Sequence, residues 1–457
     1  MAETSTQSVP KNLSDTSYDP HENRTTGTIN NFQAFLHLVK CSFGIGVLAF
    51  PYGFKHAGMI AGMVLGISVS VFCVYCFHVL FHTMNKIAAE LRVPYVTVPD
   101  AMIHSMTHTH AWCAPMVKLT RPFIGTIIFI CYFGICTAYI NYLTVMSLTI
   151  SEKYKSSAEG PVNLVRSITS IIWVIPLFMV NCLRDLKTLA PASLIGNVTT
   201  LIAMCMVLGA ILDPTEPFSD TWESYGELST APLFIGTILF AVESFGVIVA
   251  VERDVIQPKR FLGWFGVFNI SMSIVVAWYL FVGIAGYWKF GADTKATIVH
   301  TITRPAWLGT TVQIIMGVAI FCSYPLQCFV AIEVMWTNYL SLKVTKNNTL
   351  WEYVFRFVFT LCTGLVSLLV PRLDLIVSLV GAFCLSLLGF VIPGLLDYNV
   401  VSGRHGWKRP FILVRDIIIM LLGLVAFAIG VYSPLYNLVE ETTKNTTRSV
   451  YFDYYYG

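Results

Sequence analysis

Long apolar runs alternate along this chain with short polar stretches. A bilayer-spanning helix needs about 20 apolar residues. On that criterion eleven spans are predicted, at roughly 32–54, 58–82, 122–150, 165–182, 188–212, 231–251, 262–288, 306–337, 351–370, 374–396 and 411–433. Some gaps are minimal: Arg184-Asp185-Leu186-Lys187 alone parts the fourth run from the fifth, and Pro371-Arg372-Leu373 the ninth from the tenth. The rest reads as a disordered polar tail over 1–30, a long loop at 83–121, an acidic loop at 213–230 and a second tail over 434–457. The pattern predicts an all-α polytopic membrane protein with 11 transmembrane helices.

Two runs are interrupted where a plain anchor would gain nothing. The stretch Asn31–Gly58 carries Ser42-Phe43-Gly44-Ile45-Gly46 at its middle. Each glycine costs a helix about 1 kcal/mol relative to alanine, and Pro51 removes a further backbone donor. Broken backbone at membrane depth is tolerated only where it is buried in protein or lines a cavity. In secondary transporters such a break aims a half-helix N-terminus at a substrate carboxylate. Ser42, Gly44, Ile45 and Gly46 are therefore candidates for a substrate cradle; close helix packing through small residues is the other use of such a motif. The sixth run breaks its apolar pattern at Phe240-Ala241-Val242-Glu243-Ser244-Phe245-Gly246.

The two interruptions lie five spans apart. If 31–212 and 231–396 are repeats of five spans each, the odd number forces them into opposite orientations, with the span at 411–433 added. Interrupted segments at matching positions of two halves point to a transporter site. Phe240, Glu243, Ser244 and Gly246 thus join the substrate-binding candidates.

Composition agrees with a membrane protein. Of 457 residues, 12% are charged, about half the fraction of soluble domains. A net charge of +3 is too small to imply nucleic acid. Most of the twelve cysteines lie inside apolar runs, where they act as small hydrophobes. The first thirty residues lack an apolar core, so no cleavable signal is expected. With the N-terminus in the cytosol, inner segments hold sixteen Lys and Arg and outer ones nine, the remaining four of the 29 lying in or at the ends of spans. That bias follows the positive-inside rule. The C-terminal tail then faces outward, in the plasma or lysosomal membrane, and Asn445-Thr446-Thr447 is a usable glycosylation sequon.

His37 precedes Gly44 by about two helical turns. A histidine there could carry a proton, organise the site or hydrogen-bond between helices. Lys40 either snorkels to the cytosolic side or pairs with a carboxylate, for which Glu243 is the opposite-charge candidate. Glu243 itself reads as a proton site, a gating partner or an amine contact. Tyr139 and Asn141 in the third span would line a central cavity or hydrogen-bond within the core. Ser323 and Tyr324 in the eighth offer hydroxyls that could help hold sodium. Glu333 and Asp374 lie nearer span ends and read as interfacial. His104, His108 and His110 fall in the loop at 83–121. No Cys/His spacing suggests a metal, and no Walker A, GxSxG, HExxH or Rossmann pattern is present. No cofactor and no enzymatic activity are expected.

Asn31–Gly58 resembles the first-helix signature of the amino acid/auxin permease superfamily, and within it the proton-coupled amino acid transporters of animals, insect members in particular. The matching residues are His37-Leu38-Val39-Lys40, Gly44-Ile45-Gly46, Leu48, Pro51 and Lys55-His56-Ala57-Gly58. Further matches are Gly134, Cys136 and Tyr139, the run Leu189 to Asn197, Phe240 to Gly246, Ala285-Gly286-Tyr287, Phe290-Gly291 and Glu333. The similarity covers about 31–433. It implies a LeuT-like five-plus-five inverted-repeat core with an eleventh helix. It also implies symport of small neutral amino acids with protons, His37 matching the family's candidate proton-coupling histidine. Cys41-Ser42-Phe43 and Ile45 are bulkier than the residues usual there. A sodium-coupled symporter and an amino acid sensor with little turnover are the alternative expectations.

Overall fold

The computed structural model describes residues 18–456, apart from 23–26, 110–113, 155–161, 185, 215–216, 228, 243–244, 303–304, 342–346, 371 and 403–408. The described residues are almost wholly helical. The first predicted span is two helices, α1 (Asn31–Ser42) and α2 (Ile45–Ala57). There follow α3 (Met59–Leu91), α4 (Val98–Thr109), α5 (Ala114–Tyr154), α6 (Val162–Asn181) and α7 (Leu186–Ile211). The sixth predicted span holds α8 (Ala231–Val242) and α9 (Phe245–Asp254). A short α10 (Pro258–Phe261) leads to α11 (Val267–Phe290), α12 (Ile298–Thr301) and α13 (Ala306–Ile332). The chain ends with α14 (Asn348–Leu369), α15 (Leu373–Val380), α16 (Ile392–Ser402) and α17 (Arg409–Tyr456). Turns of π-helix extend α13 and join α15 to α16. Among the described residues nine helices are long and apolar enough to cross a membrane, and Val165–Asn181 is a shorter apolar helix.

Two stretches differ from the sequence expectation. The loop expected at 83–121 is largely helical: α3 continues to Leu91, and α4 follows. Val98, Ala101, Met102, Ser105 and Met106 form a buried stripe on α4, an amphipathic spacing too short to register as a span. Thr97 starts that helix, its hydroxyl donating to Asp100 Oδ2 at 2.6 Å. Of the three histidines placed in that loop, His104 lies within α4, the side chain of His108 is outside the described set, and so is His110. The tail expected from 434 instead continues α17 to Tyr456. The side chain of Asn445, on that extension, lies outside the described set.

The centre of the molecule is the pairing of the two divided spans. Helix α2 packs against α8 and α11, while α1 packs against α9 and α11. First half meets second half, so the two divided spans run antiparallel. Helix α15 closes over α8, and α13 fits between α5 and α7. Helix α17 lies outside, against α16, with 17% of its apolar window buried.

Charges buried between helices are matched. Arg356 on α14, 3% exposed, donates to Glu352 at 2.9 Å and to the Asn181 carbonyl at 2.7 Å. Arg184 adds a second contact to Glu352 at 2.7 Å. Removing one member of such a cluster leaves a buried charge without its counter-ion, at a cost of about 3–5 kcal/mol. Glu352→Leu should therefore lower the thermal midpoint of the detergent-solubilised protein, and Glu352→Leu with Arg356→Leu should recover part of the loss. A double variant as unstable as the single one would show that the loss does not come from a stranded Arg356 charge.

Candidate functional site

The break in the first span is at Phe43-Gly44. Gly44 is extended, with φ −137° and ψ −153°, and no side chain caps the helix that begins after it. The first N–H groups of α2, from Ile45, Gly46 and Val47, have no intrahelical acceptor, as at any helix N-terminus. They carry the positive end of the helix dipole. A Cβ built on Gly44 meets nothing within 4 Å, so the backbone here borders open space.

Gly46 does something different. A Cβ there would lie 2.7 Å from the Cα of Ala241 on α8. The two glycines of the motif thus divide the two uses weighed for it: Gly44 leaves room, whereas Gly46 permits close approach of α2 to α8. Ile45, between them, is buried.

The opposite ends of the broken helices meet one side chain. Tyr279, on α11 and fully buried, donates through its hydroxyl to the carbonyl of Ser42, the last residue of α1. The same hydroxyl lies 2.9 Å from the carbonyl of Ala241, near the end of α8. The last four carbonyls of any helix lack intrahelical donors, and a phenol has a single proton. Tyr279 therefore serves two helix C-termini with one proton. The Ser42 hydroxyl turns back to Leu38 at 3.0 Å, so Ser42 enters the site through its carbonyl.

Helix α5 forms a wall. Tyr132 and Tyr139, both buried and two turns apart, lie on one face of it. A Cβ on Gly246 would run into the Tyr132 hydroxyl, which places α9 against that wall. Phe240 is half-buried near the end of α8. Glu243 and Ser244 lie outside the described residues, as does the side chain of Lys40. His37 is on the exposed face of α1, beside the buried Leu38.

Other candidates are drawn elsewhere. Asn141 donates to the carbonyls of Ser367 and Val370 at 3.4 and 3.0 Å, closing the end of α14. Tyr324 turns to Thr363 at 3.1 Å and Ser323 to Ala319 at 2.8 Å, both away from the first break. Asp374 is buried and pairs with Arg372 at 2.6 Å. Two residues that sequence reasoning passed over belong near the centre, Tyr279 and Tyr132, and a third, Glu252, is a carboxylate 1% exposed near the C-terminal end of α9. Glu252 stands among charged residues in sequence, and a tyrosine within an apolar run carries no mark of its partners.

A cavity of about 620 Å³ opens beside the C-terminal end of α2, faced by Lys55, Arg166, Lys295, Arg372, Asp293 and Asp374. Thr297 and His300 complete its wall. His300, on α12 between the spans, is pushed down to about 4 by burial, with Lys295 adding to the effect. It is accordingly neutral at ordinary pH.

These features define an all-helical polytopic membrane protein, built round two packed antiparallel spans with main-chain groups turned inward. The chain belongs to the transmembrane amino acid transporter protein family, whose match runs over residues 27–435. It is 28% identical over 418 residues to the proton-coupled amino acid transporter-like protein pathetic of Drosophila melanogaster, covering 90% of this chain and 86% of that one. To the amino acid transporter AVT3B of Arabidopsis thaliana it is 24% identical over 417 residues, covering 90% and 94%. Among solved structures it is similar to Mhp1, a nucleobase-cation-symport-1 family transporter, in a closed conformation with bromovinylhydantoin bound. There the TM-score is 0.45 and the identity 14%, over 94% of this chain and 96% of that one. The family is one of transporters, not enzymes.

Tyr279→Phe removes the hydroxyl and keeps the ring. It should leave two buried carbonyls without that donor, a loss of about 1–3 kcal/mol, seen as a lower thermal midpoint in a protein that still folds. An unchanged midpoint would mean that the hydroxyl does not join the helix ends.

His300 gives a pH test. An unfolded chain takes up this proton near the ordinary value of 6.5, the folded one only near 4. Its contribution to stability is thus complete above 6.5 and declines as the pH falls toward 4, by up to about 3 kcal/mol. His300→Gln should flatten the fall in thermal midpoint between pH 6.5 and 4; an identical slope in the variant would contradict the assignment.

Proposed function

We propose that the chain is a secondary active transporter that moves small neutral amino acids together with protons by alternating access. The observation that carries this reading is the uncapped start of α2, where Gly44 borders open space with unsatisfied N–H groups directly behind it. A carboxylate is the group such a dipole end favours. The Glu243–Gly246 stretch would receive the amine, and the Tyr132–Tyr139 wall favours a small side chain. Family membership supports amino acids as the solute, and similarity to a proton-coupled amino acid transporter-like protein of an insect supports the proton.

On this reading Ser42, Gly44, Ile45, Gly46, Tyr139, Phe240, Glu243, Ser244 and Gly246 surround the substrate. His37 and Glu243 are the proton-linked candidates. His37 lies off the packed face of α1, so its role would be to pass protons along the helix surface toward the break. The core is a five-plus-five inverted repeat over 31–212 and 231–396 with an eleventh helix outside it, the N-terminus in the cytosol. The membrane is plasma or lysosomal. The antiparallel packing of α1–α2 on α8–α9 supports the inverted arrangement.

A single uptake screen tests both parts. Proteoliposomes carrying the wild type, Gly44→Leu and His37→Ala are assayed with each of the twenty amino acids at pH 5.5 and 7.5. The wild type should accumulate small neutral amino acids faster at the acidic pH. Gly44→Leu, whose added side chain occupies the cradle, should lose at least about 90% of uptake, since substrate and leucine cannot share the space. His37→Ala should lose the pH dependence. Uptake indifferent to pH but dependent on sodium would replace the proton with sodium, and normal pH dependence in His37→Ala would remove that histidine's role.

A further inference from the structure

The cavity at the end of α2 is distinct from the break and has its own polar wall. Among the described residues four cations face two carboxylates, an excess of positive charge. Arg372 is engaged bidentately by Asp374, at 2.6 and 3.3 Å. Lys55 donates to the carbonyls of Ala292 and Thr294, at 2.6 and 3.1 Å. Arg166, itself partnered, and Lys295 bring the other two positive charges, against the exposed Asp293.

Beneath these charges the wall holds polar side chains without a hydrogen-bond partner among the described residues. Thr297 is fully buried, and its hydroxyl has no hydrogen-bond partner. His300 is 8% exposed, and neither ring nitrogen has one. Buried polar side chains are nearly always paired, and two together in one wall point to a ligand rather than to chance. The ring of His300 stacks at 5.3 Å on Tyr142, whose buried hydroxyl is likewise without a partner.

The chemistry narrows the occupant. A neutral imidazole offers one donor and one acceptor, and a hydroxyl offers both. A simple inorganic anion would leave the acceptors unused and fill little of about 620 Å³. A solute with a carboxylate and an amino group uses donors, acceptors and charge together. We propose that this cavity is a second binding site for a free amino acid, its carboxylate facing Arg166 and Lys295 and its remaining polar atoms taken by Thr297 and His300. The proposal rests on the reading that the chain transports amino acids. On the predicted orientation the site faces the extracytosolic side, where it would hold the solute before it reaches Gly44.

The test uses the full chain in nanodiscs, with tritiated L-alanine and L-leucine as separate probes. Binding is measured in the wild type, in Gly44→Leu, and in Gly44→Leu combined with Thr297→Val or His300→Gln. Gly44 has open space and a φ that any residue adopts, so the leucine is accommodated. Thr297→Val is isosteric and preserves packing; thermal midpoints confirm folding of each variant. We expect Gly44→Leu to keep one saturable component, which Thr297→Val weakens by about tenfold, the effect of losing a buried hydrogen-bonding partner. His300→Gln, which keeps a donor and an acceptor, should weaken it by less. A wild type that binds and transports while Gly44→Leu binds neither probe would overturn the second site and leave the transport reading intact. So would a residual component indifferent to Thr297→Val and His300→Gln, which would mark the cavity as filled by water alone. A wild type that neither binds nor transports either probe would overturn both.

Discussion

One buried hydroxyl holds the centre of this protein together. Tyr279 reaches from α11 to the carbonyl of Ser42 and to that of Ala241, where α1 and α8 end. Each is a helix terminus at membrane depth, where an unpaired carbonyl costs several kcal/mol because no water reaches it. A helix can stop there only if something else supplies a donor. Tyr279 reaches both helix ends, and at Ser42 the main-chain N–H of Gly44 adds a second donor at 3.0 Å.

The asymmetry of the arrangement has functional weight. The C-terminal ends are served by a protein side chain, whereas the N-terminal end of α2 has no side-chain cap. The first is a structural requirement already met; the second is an opportunity for an anionic group. Because Tyr279 has one proton for two acceptors, it can favour either carbonyl, and α1 and α8 can shift against each other without stranding both. Close packing surrounds this flexible point: Gly46 against Ala241 on one side and Gly246 against Tyr132 on the other. The broken spans are thus closely packed on both sides of their gap.

How much of this could be read from the sequence depends on the distance over which each feature is determined. The break at Gly44 was legible because glycine spacing and Pro51 act on the local helix. The pairing of the two divided spans was legible from their matching positions. Gly44 and Gly46 looked alike, since the difference between them is made by Ala241, 195 positions further along. Tyr279 was invisible for the same reason: its acceptors are 237 and 38 residues away. Asn141 was read as either cavity-lining or core-bonded, and the structure gives it to the carbonyls at the end of α14. Helix α4 carries no span signal because its buried stripe is amphipathic rather than uniformly apolar, and the extension of α17 carries none because its residues are polar.

The central claim is that main-chain groups, not side chains, receive the carboxyl end of the solute. A density map of the protein in nanodiscs at saturating L-alanine tests it most directly. The account predicts a carboxylate within about 2.7–3.2 Å of the N–H groups of Ile45, Gly46 or Val47, with α1 and α2 still separated at Gly44. A carboxylate held by a lysine or arginine side chain elsewhere, with residues 43 and 44 wound into one continuous helix, would contradict it.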